Sequence, residues 1–383
     1  MAEQTTEKKR FKIETSALRA YTMIGALAVI WVFFHWRTGG NFITAENLSN
    51  LMVQTSVTGI IAVGMLMVIV SGNIDLSVGS LLGFAGAVSA IFLTNLGYGI
   101  LPAVIAAIAV GIFVGAFQGT LVAYFNIPAF IVTLGGLLAW RGVVKGITNS
   151  STVPVSDPQF IAIGQSYLHP TAGWILAVIS VAVVLVMVWR RSAVQEEYGL
   201  GSGSVGPELM KALVPVAGIV IFIFAMNAYA GIPNPVLLFI GVALLGHFIT
   251  NNTTFGRYLY AIGGNSEAAR LSGINNRLTA LKVFALLGAF VGLAAIVSTA
   301  RLGSATVDAG TLKELDAIAA CVIGGASLMG GRGTVFGACL GALIMASLDN
   351  GMSSINLENY LQDIIKGVIL VTAVGLDMLG KKA

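Results

Sequence analysis

The sequence predicts an all-α polytopic membrane protein of about twelve transmembrane or re-entrant helices. Three observations carry that prediction. Hydrophobic residues make up 56% of the 383 and charged residues only 10%, against roughly 25% charged in soluble domains. Mean hydropathy is +0.89. Apolar runs of about 20 residues, the length that spans a bilayer, recur from residue 20 to the end. The same numbers exclude a disordered chain, which needs low hydrophobicity and high charge. Two cysteines, Cys321 and Cys339, both inside apolar runs, exclude a disulfide scaffold and read as small packing residues. A net charge of +4 with scattered basic residues argues against nucleic-acid binding.

Twelve segments follow in order, near 20–36, 52–71, 77–94, 100–124, 127–147, 171–189, 211–230, 234–250, 280–300, 313–329, 334–350 and 361–379. The first follows a basic tail over 1–19 and ends in His35-Trp36-Arg37 rather than at small residues. It reads as a retained span, not a cleaved signal. Residues 20–380 then form one transmembrane domain. With the N-terminus inside and alternating crossings, the inside segments hold fifteen Lys and Arg and the outside segments five, with Lys366 ambiguous. Positive charge favours the cytoplasmic side, so both termini are expected there.

Two connections are short and rich in glycine: 71–80, containing Asn73, Asp75 and Ser77, and 324–334. Each is either a surface turn or the tip of a re-entrant pair. Gly79-Ser80-x-x-Gly83 and Gly333-Thr334-x-x-Gly337 resemble each other, as repeated halves of a transporter or as two glycine-rich helices do. Asp75 is the one carboxylate between Glu46 and Asp157. An acid in a span usually faces water or a partner, so Asn73, Asp75 and Ser77 are candidates to line or gate a path. Alternatively Asp75 only caps the third helix.

The polar stretch 251–279 is expected on the cytoplasmic side. Asn265 or Ser266 suits a helix cap, Glu267 the first turn, Ala268, Ala269 and Arg270 the body, and Gly273 the stop. The result is a short helix with small residues on one face, either a docking element or a connector. Elsewhere, Trp140, Arg141 and Lys145 read as interfacial anchors, Glu314 and Asp316 as an acidic first turn, Asp349 and Asn350 as caps, and Lys366 as a snorkelling side chain. Glycines in spans, among them Gly79, Gly83, Gly86, Gly337 and Gly341, read as close helix contacts. His35, His169 and His247 lie far apart, so no metal site is expected.

Several of these stretches resemble a known family. Glu267-Ala268-Ala269 with Gly273 is similar to the EAA-type coupling loop of ABC importer permeases. Gly72-Asn73-Ile74-Asp75-Leu76-Ser77-Val78-Gly79 resembles the signature of the ribose/xylose/branched-chain amino acid permease family, and Pro128–Gly135, with Thr133, matches a second family stretch. Residues 271–275, 314–325 and 345–353, the last with Asn350, point to its xylose permeases. The resemblance covers nearly the whole chain from about residue 20.

It implies an ABC importer permease for D-xylose or a related pentose in a bacterial inner membrane. Glu267, Ala268, Ala269, Arg270 and Gly273 would then couple to an ATPase, and Asn73, Asp75, Ser77, Thr133 and Asn350 would line or gate the sugar path. It further implies a homodimer, a cytoplasmic ATPase with two nucleotide-binding halves and an extracytoplasmic sugar-binding protein, with no cofactor in this chain. The sequence has no Gly-x-x-x-x-Gly-Lys-Ser/Thr loop, so ATP is expected to be used by the partner. An ion-coupled secondary carrier would need ionisable groups in spans, for which Asp75 is a thin candidate. An intramembrane enzyme would need a nucleophile and base or a metal cluster, and the helices show neither.

Overall fold

A computed structural model describes residues 15–197 and 205–379. Of the tail expected over 1–19, residues 1–14 lie outside the described residues and 15–19 open the first helix. The described residues form fifteen α-helices and four two-residue strands.

The bundle is built around α2 (Ala45–Val70), which follows α1 (Thr15–Arg37) and is buried along nearly its whole length. Thr44 caps α2 by accepting from the Asn47 amide. The hydroxyls of Thr55 and Ser56 return to the carbonyls of Leu51 and Met52, so they cost nothing inside the apolar core. α3 (Val78–Ala90) continues into a π-helical turn over Ile91–Asn95. α4 (Ile100–Tyr124) and α5 (Ala129–Ile147) follow.

Short α6 (Pro158–Gln165) is capped by Asp157, which accepts from the amides of Gln159 and Phe160. The outer pair α7 (Pro170–Glu197) and α8 (Val205–Asn227) precedes α9 (Asn234–Asn252). The remaining helices are α10 (Thr254–Gly264), α11 (Ser266–Leu271), α12 (Asn276–Leu302), α13 (Lys313–Ile323), α14 (Val335–Ser354) and α15 (Asn359–Leu379). Two antiparallel ladders, β1 (Val153–Pro154) with β4 (Ser304–Ala305) and β2 (Tyr167–Leu168) with β3 (Ile232–Pro233), lie with α6 at one end of the bundle. α10, α11 and the connections 71–77 and 324–334 lie at the other.

Every one of the twelve predicted segments falls on a helix, and eight helices among the described residues are long and apolar enough to cross a bilayer. The tenth segment differs from expectation. It ends at Ile323 rather than 329 and has eleven residues. Gly325, Gly330 and Gly331 take positive φ values of 86°, 86° and 72°, which no helix continues through. The approach to α13 is irregular as well, with Leu312 at φ 62°.

The paired glycine motifs do not occupy equivalent positions. Ser80 is the third residue of α3 and bonds the Leu137 carbonyl, whereas Thr334 is the N-cap of α14 and accepts from the Gly337 amide.

Glycines set the closest helix approaches, as expected. α4 and α12 pack most extensively, with Gly111 against Gly288 so that a Cβ on either would strike the other's carbonyl. Small residues let backbones approach this closely. Cys321 is fully buried and donates to the Ala62 carbonyl at 3.3 Å, a packing role. Gly111→Leu is expected to destabilise the fold by about 1–3 kcal/mol through overpacking. A thermal melt in detergent checks this against Gly135→Leu, where nothing lies within 4 Å.

Candidate coupling face and buried polar seam

The short helix expected after residue 265 is α11. Asn265 has extended backbone, and its Oδ1 accepts from the Ala268 amide at 2.9 Å. Glu267 and Arg270 pair at 2.6 Å on the open surface. The Arg270 hydrogen bond and charge hold the Glu267 carboxyl below its usual range. Gly273 takes φ +86° and Ile274 donates to the Ala269 carbonyl at 3.1 Å, closing the helix. Asn276 Nδ2 donates to the Ser266 carbonyl at 2.8 Å, which clamps α11 to the start of α12. Ala269 is buried within the chain, so the face open to a partner is Glu267, Ala268, Arg270 and Leu271.

Sequence reasoning missed the helix before it. α10 lies inside the stretch expected as a polar loop, and it touches both glycine-rich connections. A Cβ on Gly263 would strike the Val70 carbonyl and the Gly331 amide. These two groups are themselves joined, with Gly331 N donating to Val70 O at 2.9 Å. Tyr260 Oη donates to the Gly333 carbonyl at 2.8 Å. The end of α2 and the turn between α13 and α14 therefore meet on α10. The signal in the sequence was Gly263-Gly264, a glycine pair where a connector needs none.

The second constellation is a polar seam among α3, α4 and α5. Asp75 Oδ1 accepts from the Ser77 amide and the Ser77 hydroxyl, both at 2.7 Å. This closes a turn two residues long ahead of α3, so Asp75 does not cap the first-turn amides of α3 itself. Ser77 Oγ pairs with the side chain of Gln118 on α4 at 3.0 Å. Thr133 Oγ1 on α5 donates to the Ala129 carbonyl at 2.9 Å and also reaches the Ile74 carbonyl. Asp75, Ser77, Gln118 and Thr133 are all 2% exposed or less.

Of the predicted path residues, the structure brings Asp75, Ser77 and Thr133 together. Asn73 stays at the rim, bonded to Ser71 at 3.2 Å. Asn350 lies near the far end of α14, where its Oδ1 accepts from Asn47 Nδ2 at 2.9 Å.

Arg141 is not an interfacial anchor. Its Nη1 donates to the carbonyls of Val307 and Ala309 at 2.9 and 2.8 Å, tying α5 to the irregular chain before α13. Trp140 stacks on Phe84 with ring centroids 5.9 Å apart. Glu314 is buried against Gly79, whose hydrogen is all that fits there. Nor is Lys366 a snorkelling side chain, or Asp316 an ordinary first-turn acid. Both join an ion cluster described below.

The model for the branched-chain amino acid transport system permease component matches residues 47–374. The chain belongs to this permease family. It is 46% identical over 369 residues to the xylose transport system permease protein XylH of Escherichia coli K12, covering 95% of this chain and 93% of that one. The protein of the same name from Haemophilus influenzae is 46% identical over 97% of this chain and 99% of its own. The ribose import permease protein RbsC of Escherichia coli K12 is 36% identical over 98% and 99%. No solved structure matches. Of the two constellations, one lies on the outside of the bundle and the other is buried within it.

Proposed function

We propose that this permease is the membrane-spanning subunit of an ATP-driven importer of D-xylose or a related pentose. The carrying observation is the 46% identity, over nearly the full length of both chains, to permeases named for xylose transport. The lower identity to ribose permeases supports xylose over ribose. The partners are a separate cytoplasmic ATPase with two nucleotide-binding halves, which uses the ATP, and an extracytoplasmic sugar-binding protein. Two copies of this chain form the membrane core in the bacterial inner membrane, with both termini cytoplasmic.

In this reading α11 docks on the ATPase through Glu267, Ala268 and Arg270, and Gly273 holds the helix end rigid. Motion of α11 passes to α10 and from there to Val70 and to Gly331 and Gly333. Val70 ends α2 five residues before Asp75, and Gly331 and Gly333 lie within the α13–α14 turn. Displacing them opens the seam held by Asp75, Ser77, Gln118 and Thr133. Rigid helices pass motion on, whereas a loose loop absorbs it.

Uptake of labelled D-xylose by intact cells tests the assignment. Asp75→Asn weakens the acceptor of both Ser77 bonds and is expected to cut uptake by roughly tenfold, the effect of about 1.4 kcal/mol, with the protein still in the membrane. Normal uptake by a well-inserted variant would remove Asp75 from the path. Orientation is checked with an impermeant thiol reagent on cells carrying a single cysteine in a background lacking Cys321 and Cys339. Labelling is expected at position 151 and not at 266, both exposed in the fold, and the reverse would invert the topology.

A further inference from the structure

Helices α13, α14 and α15 bring four charges together, with Asp316 buried and the side chains of Lys313, Asp349 and Lys366 half-buried. Lys313 Nζ lies 2.7 Å from Asp316 Oδ2, and Lys366 Nζ lies 2.7 Å from Asp349 Oδ1. The pairs cross-link, with Lys366 3.4 Å from Asp316 and Lys313 3.9 Å from Asp349. Two cations and two anions cancel. Asp316 is 3% exposed. Charges in spans are expensive unless paired, so this set is a fastening with a cost attached to breaking it.

Its placement gives it a role. Lys313 and Asp316 are three residues apart on one face of α13, whereas Glu314, one position on, faces about 100° away and lies against Gly79 of α3. The first turn of α13 is thus held between the α3 seam and the cluster. The other end of α13 leads into the turn that α10 contacts. A push on that turn would splay α13 from its neighbours unless the far end were fastened.

We propose that Lys313, Asp316, Asp349 and Lys366 are positioning residues for transport, a charge-neutral latch that makes α13, α14 and α15 move as one body and keeps Glu314 against α3. The proposal rests on the reading that α10 moves the α13–α14 turn.

The test uses the full permease with its ATPase and binding protein in proteoliposomes, with D-xylose uptake counted per inserted molecule. Lys366→Met and Asp349→Asn each leave the cluster with one uncompensated charge and cut its shortest tie between helices, and are expected to lower uptake by roughly tenfold or more. The double variant restores neutrality but leaves only the 2.7 Å Lys313–Asp316 pair, which lies within α13, so α14 and α15 lose their charged ties and uptake should stay roughly tenfold below the parent although the charges balance. Singles that transport normally, or a double variant restored to the parent's uptake, overturn the latch. If the singles do not insert, a second measurement decides. Cysteines at Leu315 and Gly367, which line one cavity between α13 and α15, are bridged by a short bifunctional thiol reagent in a background lacking Cys321 and Cys339. Uptake should survive bridging, because the latch already holds these helices together, and a block overturns the rigid-body reading. Failure of the coupling route itself would show differently, as normal transport by a Gly263→Val variant.

Discussion

Gly263→Val is expected to abolish sugar-stimulated ATP hydrolysis and uptake while leaving the permease inserted and bound to its ATPase. The new Cβ would occupy the place of the Val70 carbonyl and the Gly331 amide. Either α10 withdraws and loses this contact, or the 2.9 Å bond between those two groups is disturbed. Overpacking of this kind costs about 1–3 kcal/mol, and each 1.4 kcal/mol is about tenfold in an equilibrium. A drop of ten- to a hundredfold in stimulated hydrolysis is therefore expected, roughly. α11 keeps its Asn265 cap and its exposed pair, so co-purification of the ATPase should be unchanged. Gly264→Ala is the control, since nothing lies within 4 Å of its added Cβ. Normal stimulation in Gly263→Val would show that motion does not pass through α10.

Arg141→Met is expected to lower both the melting midpoint and uptake. The guanidinium is the donor to the Val307 and Ala309 carbonyls, in a segment with no helix of its own to satisfy them. Each carbonyl left unpaired costs about 1–3 kcal/mol. The chain before α13 would loosen and Glu314 would lose its seat against Gly79. Arg141→Lys should recover part of the loss, because an ammonium keeps the charge without the planar fork. Lys145→Met, on the same helix with an exposed side chain, should change neither measurement. Unaltered melting of Arg141→Met would contradict the account of the seam.

Hydropathy alone placed a helix under each of the twelve predicted segments, because the bilayer demands long apolar runs and the chain has little else. Local chemistry did as well for α11, where the Asn265 cap and the Gly273 stop are written within nine residues. What the sequence hid was contact between distant segments. Lys313, Asp349 and Lys366 look like separate end-of-helix charges until three helices bring them within 4 Å. Arg141 near the end of an apolar run has the pattern of an interfacial anchor, and only the irregular chain over 303–312 gives it two carbonyl acceptors. That irregular chain is itself obscured by the apolar residues around it. Gln118 was legible in principle, as an amide in the middle of a 25-residue apolar helix that must find a partner, and Ser77 is that partner. The fold uses the two glycine motifs differently, with Ser80 within α3 and Thr334 at the cap of α14. The contact that matters between those regions is Val70 with Gly331, which neither motif contains.

On the proposed function, ATP binding and hydrolysis in a separate subunit open this permease through α10 and α11. Proteoliposomes holding the permease and its ATPase, supplied with the pentose-loaded binding protein, test it most directly. The account predicts accumulation of labelled D-xylose only with ATP, none when the ATPase is omitted, and none for Gly263→Val. Accumulation driven by a proton or sodium gradient without ATP would contradict it and make the protein an ion-coupled carrier.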